Sequence, residues 1–182
     1  AERSLLDVLS ALSSLPNSPL NVVTVLPSAL NQDYIEAVRQ QSTEVVFLPY
    51  GWWHAQQSVF EATVARIEQL IKHYCPSWVY TNTAVLCEPL IAAKRQNITA
   101  LVHARELLTH DPELCTLLGC EPQQLAIQVQ ATADQLIANS HFLATAYQHD
   151  TTTVVPNIVD PDAFAGIALP SATLQPGTRP RL

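Results

Sequence analysis

"NITALVHARELLTHDP" (Asn97–Pro112) sets an apolar run directly against a cluster of charged and titratable side chains. Ile98 to Val102 has the make-up of an inner strand, and His103, Arg105, Glu106 and His110 follow almost at once. Groups of this kind are costly to bury unless paired, so their natural place is the tip of the strand, where the core gives way to a crevice. Asp111 then reads as a helix N-cap, with Pro112 at the first helical position and Gly119 as terminator.

Outward from this stretch the same alternation repeats. "LNVVTVL" (20–26), "EVVFLP" (44–49), "SWVYTN" (77–82), "QLIAN" (135–139) and "TTVVP" (152–156) are apolar runs bounded by turn residues, hence strands. Helical patterns lie between them. "ERSLLDVLSALSS" puts Leu5, Leu9 and Leu12 on one face, and "NQDYIEAVRQQ" does so with Tyr34, Ile35 and Val38. The longest helix is expected over about 58–73, with Val64, Ile67, Leu70 and Ile71 inward and Pro76 at its end. A further helix reaches about Arg95 with Pro89 in its first turn or at a kink, "PQQLAIQVQATA" is helical, and Ser140 caps "HFLATAYQ". Strands that read as continuous apolar runs, alternating with helices, predict an α/β, Rossmann-like open parallel sheet with helices on both faces.

In such sheets ligands bind beyond the carboxyl ends of the strands. That rim collects His103, Arg105 and Glu106, together with Asn82, Asn139, Asn157 and the loop Tyr50-Gly51-Trp52-Trp53-His54. Each has a bland reading beside the functional one: an Arg–Glu pair with a satisfied histidine, core tryptophans, and an Asn-Ser pair that only caps a helix. Two adjacent tryptophans point in different directions, so one of Trp52 and Trp53 is expected near the surface, where an indole face suits sugar C–H groups or cations.

Composition narrows the classes. A chain of 182 residues with 48% hydrophobic and 14% charged residues is long enough for one domain with a proper core. A net charge of −7 argues against a nucleic-acid surface, and with Lys72 and Lys94 as the only lysines a polybasic membrane anchor is not evident. Cys75, Cys87, Cys115 and Cys120 match no common zinc spacing and read as free thiols of a reducing compartment, which makes a cytoplasmic location, free or at the cytoplasmic membrane face, the expectation. No metal-ligand cluster, phosphate-binding glycine loop or nucleophile elbow is present, so neither a metal nor a cofactor is expected. The chain has no methionine, opens inside a helical pattern and closes on the Pro-rich "LPSATLQPGTRPRL", which we read as an internal piece of a longer protein.

Taken in order, the tip motifs resemble the N-terminal domain of family 4 retaining glycosyltransferases of the two-Rossmann (GT-B) architecture. "AERSLLDVLSAL" is similar to the helix after that family's first strand, "YTNTAVL" to its fourth-strand Thr-Asn turn, and "VHARELL" to its His-Val-Arg-Glu-Leu segment. "LIANS" and "VVPNIVDPDAF" are similar to its Ile-Ala-Asn-Ser and Val-Pro-Asn-Gly-Val-Asp segments, with Ile158 in place of the usual glycine. The resemblance covers residues 1–165, leaving 166–182 as the start of an interdomain linker.

The resemblance implies an acceptor-side domain whose first strand is missing, and whose own C-terminal domain would hold the nucleotide-diphosphate sugar that serves as donor. His103 would border the donor sugar as the catalytic residue, while Arg105 and Glu106 would position the acceptor or brace the histidine. Trp52 and Trp53 would contact the acceptor (a glycan, lipid-linked sugar or small molecule), with Asn82, Asn139 and Asn157 lining the rim. Alone, the fragment would be inactive. Two other readings stand beside this one, a non-catalytic Rossmann-like module for a ligand or partner, and a sugar-nucleotide epimerase of related architecture.

Overall fold

Six strands and seven α-helices alternate through residues 2–16 and 20–157, the part of the chain that the computed structural model describes. Helix α1 (Glu2–Ser13) precedes β1 (Val23–Leu26), α2 (Gln32–Arg39) and β2 (Glu44–Phe47). Then come α3 (Glu61–Tyr74), β3 (Trp78–Thr81), α4 (Glu88–Arg95) and β4 (Thr99–Ala104). After a 3-10 turn at Leu108–His110, the chain forms α5 (Pro112–Leu118), α6 (Pro122–Thr132), β5 (Gln135–Ala138), α7 (His141–Tyr147) and β6 (Thr152–Val154). The architecture is the expected one, parallel strands flanked by helices. The segment from Ile158 to Phe164 and the linker assigned to 166–182 lie outside the described residues, as does the tail end of the 1–165 domain.

Every strand pair is parallel, and the pairs fall into two groups. β1 joins β2, whereas β3, β4, β5 and β6 form a four-stranded sheet in sequence order. Among the described residues, β1 and β3 do not pair with each other, and no other strand pairs with the free edge of either.

Local signals explain the boundaries. Asn31, Asp111 and Ser140 cap α2, α5 and α7 by accepting the N–H of Tyr34, Leu114 and Leu143. Pro89, Pro112 and Pro122 sit in first turns, where a missing N–H costs nothing. Gly119 ends α5 at φ +60°, a conformation that disfavours residues with a Cβ. The long helix begins at Glu61 and not at 58, because Phe60 is the N-cap and 58–60 belong to the preceding loop.

The core lies between the four-stranded sheet and its helices. Val64, Val102, Leu125 and Leu136 are fully buried there, each contributing about 1.5–3 kcal/mol relative to exposure. One boundary matters for function. β4 runs on through Ala104, so His103 lies within the strand opposite Ile137, and not beyond its tip.

Candidate functional site

The carboxyl ends of β3, β4 and β6 bring four of the named side chains into one hydrogen-bonded network. Arg105, half-buried just after β4, is its hub. Its Nε donates to Asn82 Oδ1 at 3.2 Å and its Nη1 to Asn157 Oδ1 at 2.9 Å. Its Nη2 lies 3.3 Å from His103 Nδ1. Asn82, at the end of β3, also donates to Ser4 Oγ at 2.9 Å, tying α1 to the rim. All these partners are neutral, and Arg105 forms no ion pair among the described residues.

His103 differs from its expected setting. Its residue is only 5% exposed, so the ring is buried in the rim instead of lying open on it. The strand's extension to Ala104 is the reason. Nδ1 is 2.7 Å from the Tyr80 hydroxyl, and the two rings meet edge to face at 6.1 Å. Nε2 is buried and has no hydrogen-bond partner.

Burial first, and the Arg105 charge second, lower the His103 pKa to about 4, so the imidazole is neutral at physiological pH. Two proton placements are open to it. If Nδ1 accepts from Tyr80, the proton sits on Nε2 and that atom is an unpaired donor. If Nδ1–H donates to Tyr80, the phenol passes its own proton to Asn82 Oδ1 at 3.0 Å and Nε2 is an unpaired acceptor. Either way one buried polar atom is left over, and a hydroxyl group, which both donates and accepts, satisfies both cases.

Glu106 has another task. Its carboxylate accepts the Thr83 hydroxyl, the Ala84 N–H at 2.9 Å and the Arg105 N–H at 3.1 Å. It therefore pins the loop after β3 to the end of β4, and neither pairs with the Arg105 guanidinium nor touches His103. The buried Tyr147 fixes the same segment by donating to the Glu106 carbonyl at 3.0 Å. Tyr80 and Thr83 join the site without having been singled out in the sequence. Tyr80 lies inside an apolar strand and is indistinguishable there from a core aromatic.

The remaining residues lie around this network. Asn139 accepts from Ser140 Oγ at 3.2 Å at the end of β5, next to the cap of α7. In the aromatic loop the two tryptophans divide as expected. Trp52 is 56% exposed, whereas Trp53 packs against the core and its backbone N–H donates to the Val85 carbonyl at 2.7 Å. The loop after β3 connects both regions, with Asn82 in the arginine network at one end and Val85 to Glu88 against the tryptophans at the other. No group of three or more His, Cys, Asp or Glu side chains suited to a metal ion occurs among the described residues. Nor is any described helix long and apolar enough to cross a membrane.

No protein-family model matches the chain, and no curated protein matches it by sequence. Solved structures do. The Staphylococcus aureus MnaA–UDP co-structure superposes with a TM-score of 0.58 at 13% identity, over 84% of this chain and 41% of that one. A Listeria monocytogenes protein described as a UDP-N-acetylglucosamine 2-epimerase superposes with a TM-score of 0.55 at 11% identity, over 81% of this chain and 38% of its own. At that identity the likeness is one of fold. The chain spans about two fifths of the length of these neighbours.

Proposed function

We propose that this chain is the acceptor-side, Rossmann-like half of a sugar-nucleotide enzyme, and that the reaction is transfer of a sugar from a nucleotide-diphosphate sugar to an acceptor with retention of configuration. One observation carries the proposal. Arg105, bonded only to neutral groups, stands beside His103, whose Nε2 is buried and unpaired. A guanidinium without a carboxylate suits an anionic group, and the leftover imidazole nitrogen suits a hydroxyl. A sugar nucleotide brings both. The ordered tip motifs and the fold shared with a protein solved together with UDP support the same reading.

In this reading the neutral His103 is a hydrogen-bond partner to the donor sugar, not a general acid. Arg105, held by Asn82 and Asn157, meets an anionic group of donor or acceptor. Glu106 keeps the loop after β3 in place. Trp52 offers the acceptor an open indole face beside Trp53, and Asn139 completes the rim. A C-terminal domain would hold the nucleotide, and its cations, with no metal or cofactor, would carry the diphosphate charge. A cytoplasmic setting, where nucleotide sugars are made, fits this role.

Epimerisation of the sugar nucleotide is the second reading, favoured by the Listeria neighbour. The test uses the complete protein that carries this chain, incubated with UDP-N-acetylglucosamine and other nucleotide sugars with and without acceptor glycans. A transferase turns over only when an acceptor is present. A 2-epimerase forms the epimeric nucleotide sugar without one, and a purely binding module does neither. His103→Ala should cost the transferase about 2–4 kcal/mol of barrier, the scale of one well-placed donor in a transition-state site. Full activity in that variant would remove His103 from the mechanism.

A further inference from the structure

Glu88, at the far end of the loop after β3, is 3% exposed, and no cation neutralises it among the described residues. Its carboxylate has two weak partners, the Phe60 N–H at a long 3.5 Å and the Cys87 thiol at 3.4 Å. An ionised carboxylate has about four acceptor positions, so much of its capacity is unused. The N-terminus of α4 eases the burial of a negative charge there without cancelling it. Burial and the Glu88 charge together push the Cys87 thiol up to about 12, so that thiol stays protonated and supplies no counter-charge.

The same carboxylate lines a cleft of about 200 Å³ whose other walls include Trp52, Trp53 and Phe60. Trp52 and Phe60 are 56% and 58% exposed, so the mouth is aromatic and open while the inner end, at Cys87 and Glu88, is closed and acidic. Aromatic faces carry negative electrostatic potential, and a desolvated carboxylate behind them adds to it. Both features select for positive charge and against phosphate or carboxylate ligands. Most of that space is open to solvent and its enclosed part has room for only a water-sized group, which suits the head of one substituent of a larger molecule.

We propose that this cleft is a subsite for a small alkylammonium group, with Glu88 as counter-ion and Trp52 and Phe60 as its aromatic wall. That the group belongs to the acceptor rests on the reading of the tryptophan loop given above; the ammonium binding itself does not. The experiment is ligand-observed saturation-transfer NMR on the complete protein that carries this chain, with choline chloride, ethanolamine hydrochloride and 3,3-dimethylbutan-1-ol, the neutral isostere of choline, at fixed ionic strength.

The expected result is saturable binding of at least one ammonium compound at millimolar concentration, and binding of the isostere weaker by about fivefold or more. Trp52→Ala and Glu88→Gln should each weaken ammonium binding by about fivefold or more. Choline binding without ethanolamine would mark a quaternary site held by the aromatic faces; ethanolamine without choline would mark a primary amine hydrogen-bonded to Glu88. Equal binding of choline and its isostere, no saturable binding of either ammonium compound, or undiminished binding in Trp52→Ala overturns the proposal. Trp52 is exposed, so its variant decides the matter even if Glu88→Gln disturbs the fold. No donor or turnover enters the measurement, so its failure leaves the sugar-nucleotide reading as it stands.

Discussion

Arg105 Nη2 lies 3.3 Å from His103 Nδ1, and no carboxylate of the described residues forms an ion pair with the guanidinium. Burial of the imidazole first, and the fixed charge of the arginine beside it second, keep the histidine neutral.

That neutrality has a sign that can be measured. The folded His103 pKa of about 4 lies below the ordinary histidine value of 6.5, so between these values the unfolded chain binds the proton and the folded one does not. Stability is therefore expected to fall as pH drops from about 6.5 to about 4, and this contribution is complete below that. Urea unfolding midpoints taken across this window should decline less steeply in His103→Gln than in the wild type.

Tyr80→Phe removes the hydroxyl that lies 2.7 Å from His103 Nδ1 and 3.0 Å from Asn82 Oδ1. The expected loss is about 1–3 kcal/mol, because buried polar atoms are left with fewer partners. An unchanged denaturation midpoint would mean that water or a rearranged Arg105 takes over the contact.

Glu106 is expected to matter for the fold even where it does not touch ligand. Glu106→Ala leaves the Ala84 and Arg105 N–H groups and the Thr83 hydroxyl without their acceptor. A destabilisation of about 2–4 kcal/mol is expected, with the loop from Thr83 to Glu88 losing amide-exchange protection ahead of the rest.

Gly119 and Gly51 form a contrasting pair. A Cβ at Gly119 would stand 2.5 Å from His54 Cε1, on a backbone already at φ +60°, whereas at Gly51 it would meet nothing within 4 Å. Gly119→Ala should lower stability by about 1–3 kcal/mol, while Gly51→Ala should stay within about 0.5 kcal/mol of the wild type. Thermal unfolding of the two variants side by side checks this.

The thiols should divide by exposure. Cys75 is exposed and should react at once with an aromatic disulfide reagent, whereas Cys87 and Cys120 are buried and should react only on unfolding. Cys120→Ala should change stability alone, since its sulfur joins neither the His103–Arg105 network nor the Glu88 cleft.

The sequence by itself determined the order of strands and helices, because continuous apolar runs and capped amphipathic segments are local signals. Asp111, Ser140 and Gly119 marked helix ends through hydrogen bonds or backbone angles that depend only on neighbouring residues. It also assembled the rim, since parallel strands put all their carboxyl ends on one side, and so His103, Arg105, Asn82 and Asn157 were legible as companions. Only the tertiary structure decided what each of them does. Where β4 stops depends on its pairing with β5, and that pairing carries the strand to Ala104 and buries His103. Glu106 follows Arg105 directly, yet its carboxylate turns to the backbone of another loop, a contact that sequence spacing cannot encode. Tyr80 and Glu88 went unremarked for the same reason. An aromatic in a strand and an acid in a helix's first turn are ordinary, and they gain meaning only from the buried partners, or the missing ones, that folding sets beside them.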